Sequence, residues 1–104
     1  MFNLIANPED LEYTKLSDTE FVATLGIEPC EMKVYLFKKG HEIPRHKHDG
    51  ANLKIVLRGE VEFNHGVAPV GAMYACGSTY YGRIVKEDTY VLVIQSVGTK
   101  RVLI

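Results

Sequence analysis

β-Branched and aromatic residues gather along this chain in short runs, and turn-forming residues separate the runs. Side chains on a strand alternate between its two faces, so such bounded runs predict β-structure. The expected strands cover residues 20–25, 31–38, 46–48, 53–58, 60–64, 72–75, 79–85, 89–95 and 101–104. Breaks fall at Lys39-Gly40, Asp49-Gly50, Arg58-Gly59, His65-Gly66, Cys76-Gly77 and Glu87-Asp88. Asn7-Pro8-Glu9-Asp10-Leu11 predicts one short helical turn, because proline suits the first helical position. No segment sustains the i, i+3, i+4, i+7 apolar pattern of a long helix. Many short strands at regular spacing predict an all-β sandwich or barrel.

The faces of two strands decide what lies inside. Leu53, Ile55 and Leu57 share one face of their strand, and Asn52, Lys54, Val56 and Arg58 share the other. If the apolar face turns inward, Asn52 points away from the interior. If Asn52 turns inward, Lys54 follows, and the apolar face needs cover from a partner or another sheet. Tyr90-Val91-Leu92-Val93-Ile94 is apolar on both faces and needs cover on both. A terminal strand Arg101-Val102-Leu103-Ile104 would also be a hazardous exposed edge in a monomer. The expected partner is a second copy of the chain, in a homodimer packed sheet to sheet.

Composition changes this picture little. The 104 residues suit one domain spanning 1–104, with 46% hydrophobic and 24% charged residues. Twelve basic side chains against thirteen acidic ones give no electrostatic reason to expect nucleic acid or anionic lipid as partner. There is no apolar run of about 18 residues, so no membrane-spanning helix is expected. The first ten residues lack the basic and apolar regions of a signal peptide, which makes cytoplasmic residence the default. Cys30 and Cys76 form no CxxC pair and are expected to be thiols.

The chemistry concentrates in Gly40-His41-Glu42-Ile43-Pro44-Arg45-His46-Lys47-His48. Residues at i and i+2 of a strand share a face, so His46 and His48 point the same way, as two converging ligands of a divalent metal would. The frame around them is Gly40, five residues, His46, one residue, His48, three residues, Asn52, six residues, Gly59. It resembles the first motif of the cupin family, with both glycines, both histidines and every spacing matched. Asn52 stands where that family usually has a glutamate ligand. The second motif, with its Pro-x-Gly-x-x-His core, is represented only by Ala75-Cys76-Gly77-Ser78-Thr79-Tyr80, where Ala75 replaces the proline and Tyr80 the histidine. The resemblance covers roughly residues 34–94 and implies a jelly-roll β-barrel with a metal held inside.

On that resemblance the candidate metal ligands are His46, His48, Asn52 and Tyr80, with Lys54 and Cys76 as pocket residues. The ion would be iron, zinc, manganese or nickel, or the frame has outlived its metal. Lys54, if inside, would orient an anionic substrate or replace the metal's positive charge. Tyr81 takes the place of Tyr80 if the alternation slips by one. His41 reads as a solvated residue of the approach loop, and His65 and Asp49 read as turn residues. Tyr80, Glu60 and Glu62 are the candidates for a general base. Two functions follow: a metal-dependent enzyme on a small molecule, or a non-catalytic binding or sensory cupin with a degenerate metal site. The incomplete second motif favours the latter.

Overall fold

Strand alternation becomes two sheets that share one interior. In the computed structural model, which describes residues 7–48, 50, 52–75 and 79–103, the chain opens with a single 3-10 turn at Pro8–Asp10. Eleven strands follow among the described residues: β1 (Thr14–Lys15), β2 (Glu20–Gly26), β3 (Cys30–Phe37), β4 (Glu42–His48), β5 (Asn52–Arg58), β6 (Val61–Phe63), β7 (Gly66–Ala68), β8 (Met73–Tyr74), β9 (Tyr80–Arg83), β10 (Thr89–Ser96) and β11 (Arg101–Leu103). One sheet runs β1-β2-β3-β10-β5-β8 and the other β11-β4-β9-β6-β7. Every pairing is antiparallel.

The all-β expectation stands, but the jelly-roll β-barrel does not. Neither sheet closes on itself: β1 and β8 are the edges of one, and β11 and β7 the edges of the other. The chain passes from β7 to β8 through Pro69-Val70-Gly71-Ala72, which carries it from one sheet to the other without a ladder between them. Gly71 N and Ala72 O bond back to Val56 there, and proline has no N–H to offer a neighbouring strand. The result is two open sheets packed face to face. β1 and β7, with two and three residues, were not expected from the sequence, and β4 begins earlier than predicted.

The core lies between the sheets. Phe37, Val56, Val91 and Val93 project from the six-stranded sheet, and Ile43, Val61, Ala68 and Tyr80 meet them from the five-stranded one. Leu36, Leu53, Ile55, Leu92 and Ile94 fall on the opposite, outer face of the six-stranded sheet, where they are half-buried. No helix among the described residues is long and apolar enough to cross a membrane.

Candidate functional site

β5 turns its polar face inward. Lys54 and Val56 are buried, and they stand opposite Val93 and Val91 in register, with Asn52 opposite Gln95. Lys54 is only 6% exposed. Its Nζ donates to Asn52 Oδ1 at 2.8 Å and lies 5.4 and 5.9 Å from the ring centroids of Tyr80 and Tyr74. An amide oxygen and the faces of two aromatic rings attract an ammonium while carrying no formal charge.

β4 delivers His46 from the opposing sheet. Its register against β9 shifts between Ile43 and His46, so Pro44 and Arg45 stay exposed while Ile43 and His46 both face inward. A proline is at home in such an irregularity, because it has no N–H to give the ladder. His46 Nδ1 bonds to the Pro44 carbonyl at 2.6 Å. A carbonyl only accepts, so Nδ1 carries the proton, and in the neutral ring Nε2 holds the lone pair. The ring is 2% exposed, and burial holds its pKa below the usual histidine value. The Pro44 bond opposes that shift, while Arg101 and Lys54 reinforce it.

Tyr80 faces His46 across the β4–β9 ladder, edge to face at 5.1 Å between ring centroids, and is 3% exposed. Its hydroxyl lies 3.4 Å from that of Tyr74. His46, Lys54, Tyr74, Tyr80, Gln95 and Arg101 contribute to the wall of a cavity of about 40 Å3, with apolar side chains completing it. Arg101 sits at the rim, held by Glu20 at 3.3 Å, and Gln95 Nε2 donates to Glu31 at 2.7 Å.

Of the predicted site residues, the fold brings His46, Asn52, Lys54 and Tyr80 together. His48 lies at the end of β4 opposite Arg101 in register; the expectation for its side chain, and those for Cys76 and Asp49, lie outside the described residues. Tyr81 points outward, under the Arg45 guanidinium at 5.9 Å. Glu60 and Glu62 are paired with Lys86 and Arg83 at 3.4 and 3.2 Å, away from the cavity wall. His65 is exposed in its turn. His41 corrects its sequence reading: it is 7% exposed, stacks on Phe37 at 4.8 Å, and its Nδ1 lies 2.8 Å from Thr19 Oγ1. Sequence reasoning missed Tyr74, Gln95 and Arg101. A lone glutamine ending the apolar run 90–95 was the one available signal.

The described donors suit a divalent ion poorly. They form no group of three or more His, Cys, Asp or Glu side chains. Asn52 Oδ1 accepts from an ammonium, the Tyr80 hydroxyl is next to another hydroxyl, and Lys54 puts a positive charge among them. A divalent metal wants anionic or lone-pair donors turned toward it. A wider, open groove of about 750 Å3 lies on the outer face of the five-stranded sheet, beside Arg45, Glu62, Tyr81 and Arg83. Among its charges Glu62 and Arg83 pair with each other, whereas His46, Lys54 and Tyr80, all taken out of water, converge in the interior.

No family model matches this sequence, and no curated protein matches it. Solved structures match its fold. A structure of the polyketide cyclase RemF from Streptomyces resistomycificus has a TM-score of 0.81 at 11% identity, over 99% of this chain and 86% of that one. An RmlC-like cupin from Shewanella frigidimarina has a TM-score of 0.72 at 19% identity, over 91% of each chain. A chain in the crystal structure of Rhodobacter sphaeroides SigE in complex with the anti-sigma ChrR has a TM-score of 0.78 at 18% identity. The match covers 86% of this chain and spans about half, 52%, of that one. At such identities the likeness establishes the fold, and these neighbours differ in function.

Proposed function

We propose that this chain, which has the cupin fold, binds a small molecule between its two sheets as a non-catalytic binding or sensory protein. One observation carries the reading: the buried Lys54 ammonium lies beside His46, Asn52 and Tyr80, where the frame of Gly40, His46, His48 and Gly59 implies a metal. The lysine places its Nζ there, 2.8 Å from Asn52 Oδ1. The carboxylates considered as general bases, Glu60 and Glu62, are engaged at the surface. A regulatory role has a parallel in the fold, since one similar structure is a complex with an anti-sigma protein. Within this reading the protein resides in the cytoplasm and is a homodimer.

Elemental analysis of protein purified without chelator is the test. Metal well below one equivalent is the expected result. One equivalent in the wild type, lost in His46→Ala/His48→Ala, would overturn the reading. That outcome belongs to the second reading, a metal-dependent enzyme, which one observation favours: the Pro44 carbonyl orients His46 as second-sphere carbonyls orient metal-ligating imidazoles.

A further inference from the structure

The outer face of the five-stranded sheet, on the side away from the interior cavity, has an ordered surface of its own. Strands β4, β9 and β6 lie side by side there, and their register sets two rows of side chains along the groove of about 750 Å3. In the first row Arg83 stands between Glu42 on β4 and Glu62 on β6, one strand spacing, about 5 Å, from each. Arg83 bonds to Glu62 at 3.2 Å, while Glu42 is exposed and makes no ion pair with a described residue. Tyr81 heads the second row, two residues along β9 and so about 7 Å away. The bulge in β4 sets two residues, Pro44 and Arg45, against Tyr81, and all three line the groove. Tyr81 is 46% exposed with the Arg45 guanidinium 5.9 Å from its ring centroid, near the outer limit of such a contact. Asn64 ends this row, its amide accepting from Tyr81 N at 3.2 Å and donating to Thr79 O at 3.1 Å.

We infer that this groove is a second binding site, which takes an uncharged sugar ring with its C–H face against Tyr81 and its hydroxyls along the row of Glu42, Arg83 and Glu62. Three features carry the ligand class. The row alternates acceptor, donor, acceptor, and a hydroxyl both donates to a carboxylate and accepts from a guanidinium. The charges of Glu42, Glu62, Arg45 and Arg83 balance, so no net field selects an anion or a cation. The exposed ring of Tyr81 supplies the apolar surface that the C–H face of a sugar needs. A groove of about 750 Å3 falls in the size range of sites for whole small molecules, and because it is open to water the expected affinity is about millimolar. This site is separate from the interior pocket of the proposed function and is tested independently of it.

Amide chemical shifts read the site residue by residue. The probes are D-glucose and D-galactose, with sorbitol as an acyclic polyol and N-methylacetamide as a peptide-like control. Expected are saturable shifts from at least one sugar at Glu42, Arg45, Glu62, Asn64, Tyr81 and Arg83, and none from either control. Tyr81→Ala, checked for folding by circular dichroism, should weaken that sugar by about fivefold or more, as loss of an aromatic contact implies. Should that variant fail to fold, Glu42→Ala on the facing row carries the test, with a similar weakening expected from the lost hydrogen bond to a charged group. Sorbitol or N-methylacetamide shifting the same amides as strongly as the sugars would overturn the ligand class. Equal sugar affinity in the wild type and the folded variant would overturn it too. Shifts confined to interior residues such as His46 and Tyr80 would overturn the outer site and leave the interior reading intact. No saturable shift from either sugar would bring the outer site down.

Discussion

A lysine between two sheets is costly in water-free surroundings, and its position here follows from one strand's alternation. Once Val56 packs into the core, Lys54 and Asn52 share its face, and no rotamer can return the ammonium to the far side of the sheet. His41 is the second buried polar residue whose environment has a measurable consequence. Burial is the largest influence and pushes its pKa below the usual histidine value; Glu20 and Glu42 pull the other way, and Arg101 adds to the depression. In the unfolded chain the group titrates near about 6.5, so the unfolded state takes up the proton first as pH falls. Its contribution to stability is therefore complete above that pH and declines as pH drops toward the folded value. His41→Phe keeps a ring on Phe37 and removes the titration, so urea unfolding between pH 7 and pH 5 should show a shallower loss of stability than the wild type. His46 is shifted in the same direction and leaves a residual slope. An identical slope in the variant would refute the assignment. Legibility at this scale was uneven. Lys54 and Asn52 could be placed together from alternation alone, while the burial of His41 could not, because it depends on Thr19 and Phe37 from other segments.

Elements were readable where the chain repeats itself and opaque where it does not. β2, β3, β5 and β10 have seven or eight residues each, long enough for a run to declare itself. β1 and β7 have two and three, and strands that short exist because a partner is waiting in space. β4 was half-read: Pro44 hid its first half, and the bulge that lets Ile43 and His46 face the same way needs the β9 register to be seen. Closure was illegible for a related reason, since alternation is the same in an open sheet and a closed one. The two frame glycines show how a spacing acquires a physical cause. Gly59 has φ +79°, and a Cβ there would meet Thr89 Oγ1 and lie 3.0 Å from the Asp88 carbonyl oxygen. Gly40 has φ +92°, but nothing lies within 4 Å of its Cβ position. Gly40→Ala should thus lose only the backbone preference, about 1 kcal/mol, and Gly59→Ala that plus steric strain, about 2–3 kcal/mol in total. Urea denaturation of the pair checks the order, and equal losses would mean that the Thr89 contact relaxes freely.

For the molecule as a whole, the unsolved surface is the outer face of the six-stranded sheet. Its strands β3, β5 and β10 send Phe37, Val56, Val91 and Val93 inward, and the alternate residues Leu36, Leu53, Ile55, Leu92 and Ile94 outward. Val34 and its ladder partner Ala23 are 2% and 3% exposed on that outer face, although neither is part of the central cluster. The N-terminal segment covers one end, through ion pairing of Glu9 with Arg58 and an edge-to-face contact of Tyr13 with Tyr90. Toward Leu53, Ile94 and Met32 the sheet is flanked by further half-buried side chains. A second copy presenting the same face about a twofold axis is the proposed cover for these half-buried apolar residues. Strand β11 pairs with β4 of its own chain, and the outer sheet face is the proposed interface. Leu92→Arg places a charge at its centre without touching Val91 or Val93. Light scattering at micromolar concentration should give about twice the chain mass of 11.7 kDa for the wild type and the single mass for the folded variant. A wild type that scatters as 11.7 kDa would end the proposal, and it would then fall to the side chains themselves to shield this face from water.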